Sequence, residues 1–313
     1  MSRTMRAMIG AVTVVGWCCG SAELMAQGGT PSPAPDRVPV VKVSPPSNKK
    51  MSELNVDRWF VKNLPKGFEP PQDDAGLLLL KEYGAVFLAS NGATPPKKVV
   101  FRDEADVLSF QSSLKRSSET IGGYKIELQS AAMKALKAAI REARSFDLSI
   151  TPRGADSARR GYDQTVSLWA SRVDPALVYW VGKGRLKRAE ADRIRAMTPY
   201  EQVPEILKLE QRGIYFAKDL SKSIIYSVAP PGASQHLSML ALDIKQFGDL
   251  RVRSILARHG WFQTVVSDLP HFTFLGMPEA ELPGRGLKLV LFGGHRYWVP
   301  NIDGPEDERA VGK

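Results

Sequence analysis

The chain has 313 residues, 43% of them hydrophobic, and a formal net charge of +10. That length and apolar content exclude a disordered or fibrous chain and suffice for a sizeable core in one or two domains. The charge points towards a polyanion, but the basic residues are spread and lie beside acids, as in Lys187-Arg-Ala-Glu-Ala-Asp-Arg. With no basic stripe interleaved with aromatics, a solvated surface is expected and a nucleic-acid partner is not.

Residues 1–26 read as a secretory signal peptide. Arg3 and Arg6 precede an apolar run from Met8 through Val15 to Cys19, and Gly20-Ser21-Ala22 or Leu24-Met25-Ala26 offers a cleavage site. An uncleaved anchor is the alternative. Cys18 and Cys19 raise a lipoprotein signal, against which the bulk of Trp17 argues. No later stretch is long enough to span a membrane. The expected location is the periplasm or cell envelope, with secretion left open. Both cysteines lie in this segment, so the mature chain is expected to have no disulfide and no thiolate chemistry. Losing residues 1–26 removes two arginines and one glutamate and leaves +9. Residues 27–52, rich in Pro, Gly, Ser and Lys, read as a disordered tether.

Order is expected to begin near Leu54 to Phe60. Leu77 to Leu88 ends in β-branched and aromatic residues, and Val99-Val-Phe101 is a second strand candidate, with Asn91-Gly92 and Pro95-Pro96 between them. Asp103 to Leu114 reads as a short helix. Residues 53–120 show no chemistry and form an N-terminal elaboration. Lys125 to Arg144 has the apolar period of a helix. A strand over Phe146 to Thr151 comes next, then helices over Asp156–Trp169, Leu186–Met197 and Tyr200–Gln211. Lys222 to Ala229 reads as a strand ending in Pro230-Pro231-Gly232. Beyond it come a strand over Leu240–Ile244, a helix over Asp249–Arg258 with Gly260 at its C-terminal cap, and strands over Trp261–Val266 and His271–Leu275. A hairpin turns at Gly293-Gly294.

The chemistry concentrates in Ser234-Gln-His-Leu-Ser-Met-Leu-Ala-Leu-Asp243, answered by Asp268-Leu-Pro-His271. Strands placed in this order can bring His236, Asp243 and His271 together, a two-imidazole, one-carboxylate set suited to Zn2+ with an open fourth position. Asp268, across a turn stiffened by Pro270, can accept a proton without ligating. Singly, each has an ordinary reading: a loop histidine, a strand-end acid, a buried histidine bonded to backbone. His259 reads as a helix C-terminal cap, His295 as an exposed hairpin residue, and Trp261, Trp298 and Phe272 as core.

These segments resemble the zinc D-alanyl-D-alanine carboxypeptidases and dipeptidases of the LAS type. That family's pattern is Ser-x-His-x-x-Gly-x-Ala-x-Asp, then Glu-x-x-His. Ser234, His236, Ala241, Asp243 and His271 match it, and the helix and strand before Pro152 fit the family's frame, so the resemblance runs from about Ile126 to Gly276. Met239 stands where the family has Gly, which implies a different turn, and Asp268 stands where it has the catalytic Glu, one methylene longer. The resemblance implies a zinc metallo-carboxypeptidase that hydrolyses the D-Ala-D-Ala bond of a peptidoglycan stem peptide, and the N-terminal segment adds that it is exported. It implies an α+β fold with a small antiparallel sheet and packed helices (LAS/hedgehog-like) over 121–300, with a tail over 301–313. It also implies an arginine on the substrate's terminal carboxylate. Arg153 holds the strand-end position, whereas Arg160-Gly-Tyr is the better match to the family's arginine together with the residues after it; both stay open. Gln164 and Ser234 are its polar companions. Three rival readings remain: a weakened or inactive wall-binding protein on this fold, a basic protein that binds acidic polymer or membrane surface, and an endopeptidase or L,D-type cutter.

Overall fold

The computed structural model describes residues 57–302, all within one compact unit. The expected signal peptide (1–26), the linker (27–52) and all of the tail but Asn301 and Ile302 lie outside the described residues. The architecture is α+β: small antiparallel sheets with several helices packed on them. Among the described residues no helix is long and apolar enough to cross a membrane.

The N-terminal part is helical. Helix α1 spans Arg58–Asn63 and α2 spans Asp74–Tyr83, running into a 3-10 segment over Gly84–Leu88. The extended reading of Leu77–Leu88 is therefore corrected. An apolar run of this length suits either state. Here the Asp73 carboxylate accepts from Gly76 N–H and starts a helix, with Leu79 and Leu80 fully buried. Val99 to Phe101 joins no named strand. Helix α3 spans Glu104–Ser112.

Strands β1 (Arg116–Ile121) and β2 (Tyr124–Gln129) form a hairpin through Gly122 and Gly123, whose φ angles of 60° and 87° suit the tight turn that matches strand twist. Helix α4 then begins only at Ser130 and runs to Arg144. The helix expected from Lys125 is thus split, because Ile126 and Leu128 are buried in strand alternation while Ala132, Met133, Leu136, Ala139, Ile140 and Ala143 form the helical stripe. No strand forms over 146–150. The chain instead pairs at the edge of the main sheet over 151–153, with Lys245 N–H donating to Thr151 O and Arg153 N–H to Asp243 O.

Helix α5 spans Tyr162–Gly182, later and longer than expected, with Pro175 inside it. Its exposed N–H groups are met by Glu104 from α3, which accepts from Tyr162 and Asp163. Helices α6 (Arg188–Arg195) and α7 (Gln202–Gln211) come next. The strand expected over 222–229 is a loop with a 3-10 turn at Ile224–Tyr226. The Glu210 carboxylate takes Ile224 N–H and the Ser223 hydroxyl, so the backbone there is satisfied without a neighbouring strand.

The main sheet carries β3 (Ala241–Asp243), β4 (Trp261–Phe262) and β5 (His271–Phe274) in the antiparallel order β3-β5-β4, with α8 (Leu250–Arg258) between β3 and β4 in sequence. Its register sets Asp243 opposite His271. Strands β6 (Leu287–Phe292) and β7 (His295–Pro300) form the C-terminal hairpin. Phe60, Leu79 and Leu80 from the N-terminal part share one core cluster with Trp261, Phe272 and Trp298.

Candidate metal centre

His236 sits in a 3-10 turn, Gln235–Ser238, that starts after Ser234 and ends on Met239. Met239 is fully buried and adopts φ 59°, ψ 26°, the left-handed conformation that glycine tolerates best. The turn is thus one that suits glycine, and the methionine occupies it at a backbone cost; a different turn is not needed. The approach is equally constrained. Gly232 has φ 78°, and a Cβ there would lie 2.0 Å from Phe101 O.

Three side chains converge. His236 Nε2 lies 3.3 Å from Asp243 Oδ1, and His271 Nδ1 lies 3.4 Å from the same oxygen. One ligand atom from each falls within 4.8 Å of the others. The rings are 4.9 Å apart and nearly perpendicular. All three residues are buried or nearly so.

Hydrogen bonds on the far side of each ring define the near side. His236 Nδ1 is 2.7 Å from Ala158 O, a pure acceptor, so Nδ1 carries the proton. Burial holds the His236 pKa below its ordinary value, against the pull of Asp243, so the ring is neutral and Nε2 bare. His271 Nε2 is 2.9 Å from Gln235 Oε1 and Asp243 faces its Nδ1. Burial disfavours the Asp243 charge, but His236 and His271 outweigh it and hold the carboxyl well below the usual carboxylate range. Arg160 Nη2 donates to Asp243 Oδ2 at 2.8 Å, which leaves Oδ1 to the histidines. Neither His236 Nε2 nor Asp243 Oδ1 has a hydrogen-bond partner.

A buried imidazole nitrogen and a buried carboxylate oxygen left without hydrogen-bond partners are suited to a cation. Tetrahedral ligands about 2.0–2.1 Å from zinc sit about 3.3–3.4 Å apart, and the two distances to Asp243 Oδ1 match. The residues present fit zinc. Among the described residues this is the group of His, Cys, Asp and Glu side chains so gathered.

The other expected site residues are more dispersed. Asp268 lies outside the gathered set. It is exposed in the turn before β5, where its N–H donates to Val265 O and its C=O accepts from His271 N–H at 3.2 Å. Arg160 is committed to Asp243, and its Nε donates to Asp156 O. Arg153 is exposed beside β3, and no acceptor among the described residues engages its guanidinium. Gln164 accepts from Gly161 N–H and so caps α5; it and Arg160 line a groove of about 320 Å³ with Asp156 and Asp163. Ser234 is buried at the start of the His236 turn.

Reading along the chain missed the supports of this centre. Gln111 of α3 donates to Arg160 O and Leu237 O and accepts from Arg159 Nε, so the N-terminal part braces the site. Tyr83 O receives Gln235 Nε2–H at 2.7 Å. Gln235 was visible beside His236; nothing local marks Gln111 or Tyr83. His259 does cap α8 and meets Glu142, while His295 is only half-buried and meets Arg253.

No family model matches the chain, and no curated protein matches it. A solved structure of a zinc-bound variant of VanY, the vancomycin-resistance D,D-pentapeptidase of a VanB-type cassette, aligns at 15% identity over 53% of this chain and 82% of that one, with a TM-score of 0.31. A likeness of that size carries no argument for shared activity.

Proposed function

We propose that the chain is an exported zinc-dependent peptidase that removes the C-terminal D-alanine from peptidoglycan stem peptides. The observation that carries the reading is the convergence of His236 Nε2, His271 Nδ1 and Asp243 Oδ1 within 4.8 Å of one another at buried or nearly buried positions, with His236 Nε2 and Asp243 Oδ1 left without hydrogen-bond partners. The Ser-x-His and Asp motif resemblance supplies the substrate class.

Zinc held by those three residues would supply Lewis acidity towards the scissile carbonyl and ease deprotonation of water. The chain's own residues do the remaining work. Arg160 anchors Asp243 Oδ2 and keeps Oδ1 turned inward. The Asp268 carboxylate takes the proton from water and returns it to the leaving amine, from a turn bonded directly to the His271 backbone. Arg153 holds the substrate's terminal carboxylate through its guanidinium fork. Of the two arginines it is favoured because Arg160 is already engaged. Ser234 and Gln164 complete the polar lining.

The test is a stem pentapeptide incubated with the full chain, with and without chelator, and with His236→Ala. Chelator-sensitive D-alanine release and about one zinc per chain are expected. Chain without bound zinc, or unchanged release by His236→Ala, overturns the reading. One observation favours a second reading: Asp268 lies outside the gathered set and is a methylene shorter than glutamate. A wall-binding protein that keeps zinc and has lost turnover would bind stem peptide and zinc and release nothing.

A further inference from the structure

We infer that Gln235 is a positioning residue that dictates which nitrogen of His271 faces the metal centre, and that it does so by relaying the direction of one backbone carbonyl, Tyr83 O. The inference rests on the reading of His236, Asp243 and His271 as metal ligands.

Donor and acceptor chemistry sets the direction of each bond. A backbone carbonyl can only accept. Tyr83 O lies 2.7 Å from one end of the Gln235 carboxamide, so that end is the NH2 group. The other end is then the carbonyl, Oε1, and it can only accept. Oε1 lies 2.9 Å from His271 Nε2, so Nε2 carries the ring proton. A neutral imidazole with its proton on Nε2 has a bare Nδ1, and Nδ1 is the atom 3.4 Å from Asp243 Oδ1. The proton on Nε2 is forced by these steps, and the amide cannot flip without setting carbonyl against carbonyl; Nδ1 is thereby the nitrogen left to the centre.

Two threonines close a ring that can take up the same direction. Gln235 Nε2 reaches Thr264 Oγ1 at 3.4 Å, Thr264 Oγ1 lies 2.6 Å from Thr273 Oγ1, and Thr273 Oγ1 donates to Gln235 Oε1. Every group in this ring can both give and receive once in a single sense of rotation. Gln235, Thr264 and Thr273 are all buried, so water does not compete. The device spans the fold: Tyr83 ends α2 in the N-terminal part, Gln235 opens the turn that delivers His236, and Thr273 and His271 lie on the same strand. One 3-10 turn therefore supplies one ligand directly and sets the tautomer of another. Outer partners of ligating histidines commonly fix ring orientation and basicity in this way.

The test uses the full chain, labelled with 15N-histidine, in long-range proton–nitrogen correlation spectra without metal, and cobalt(II) and zinc titrations against a competing chelator. In the wild type His271 is expected with Nε2 protonated and Nδ1 bare. In Gln235→Leu a mixture of His271 tautomers is expected, with affinity for both metals lower by about 10- to 100-fold, while His236 keeps its proton on Nδ1. Gln235→Glu retains an acceptor towards His271 and is expected to keep the tautomer; if Gln235→Leu does not fold, this variant and the wild-type spectrum decide. A wild-type His271 protonated on Nδ1, or a folded Gln235→Leu with wild-type tautomer and affinity, overturns the inference. The peptidase reading fails separately: tautomer and metal affinity as expected but no D-alanine release removes that reading alone.

Discussion

Arg160 Nη2 donates to Asp243 Oδ2 at 2.8 Å, and that bond decides which carboxylate oxygen is left for a cation. Both side chains are largely buried, at 15% and 13% exposure. Removing one partner of such a pair leaves an uncompensated charge and costs about 3–5 kcal/mol. Arg160→Ala is expected to lower metal-free stability by about that amount, measured by urea unfolding. Zinc then becomes the main compensation for Asp243, so the stabilisation on adding zinc should be larger in the variant than in the wild type. An equal zinc increment in both would show that the pair does not couple to the centre.

Metal removal has a sign of its own. A ligand that binds only the folded chain stabilises it by about 2.7 kcal/mol at a hundredfold excess over Kd. Zinc at that excess is expected to raise the melting temperature, chelator to reverse it, and His236→Ala or His271→Ala to abolish the response. The side chains whose ring nitrogens face Asp243 Oδ1 are the ones removed. A thermal shift that survives both substitutions would place the ion elsewhere.

Met239 sets two terms against each other. Its left-handed backbone, φ 59°, costs about 1–2 kcal/mol relative to a conformation suited to a side chain. Its fully buried side chain contributes more, since deleting a buried methionine costs about 2–5 kcal/mol. Met239→Gly is therefore expected to lower stability by about 1–3 kcal/mol despite relieving the backbone. Gly232→Ala has no such offset. Its new Cβ meets Phe101 backbone at a φ that already suits only glycine, so a loss above about 1 kcal/mol is expected, with weakened metal binding because the loop carries His236.

Glu210 gives stability a pH dependence remote from the centre. Burial pushes its carboxyl up from 4.5 to about 7, against the hydrogen bonds from Ser223, Ile224 and Phe216. The folded form then holds a proton that the unfolded form has lost between about pH 4.5 and 7, so stability falls as pH rises through that window. The penalty is complete above about pH 7 and amounts to about 3 kcal/mol at one pKa unit per 1.36 kcal/mol. Glu210→Gln is expected to flatten the profile and to be the more stable chain at pH 8, as read from urea midpoints between pH 4 and 8. A slope that persists in the variant would assign it to other groups.

Local pattern recovered those elements that carry their own signals. Helices α6, α7 and α8, strands β3 and β5 and the C-terminal hairpin lie where periodicity and turn residues put them. It failed where a cap, a turn or a side chain took over the backbone. Ile224 N–H is claimed by Glu210, so no strand forms there, and Asp73 turns Leu77–Leu80 into a helix. Ile126 and Leu128 fit a helical stripe by spacing, but Gly122 and Gly123 turn the chain and make them strand residues.

The candidate ligand set was legible because its residues are chemically distinctive and closely spaced along the chain: His236, Asp243 and His271 fall within 36 positions, on elements whose own patterns mark them as turn and strands. Sequence by itself marked these three as candidate ligands and showed the departures at Met239 and Asp268. Tertiary structure alone decided their state. Which arginine is engaged, which oxygen of Asp243 is bare and which nitrogen of His271 faces that carboxylate all depend on single hydrogen bonds that involve Arg160, Gln235 and Tyr83. Such bonds join residues as many as 152 positions apart. Hydrogen bonds of this kind depend on distance and direction in space, and neither is written in residue type or spacing along the chain.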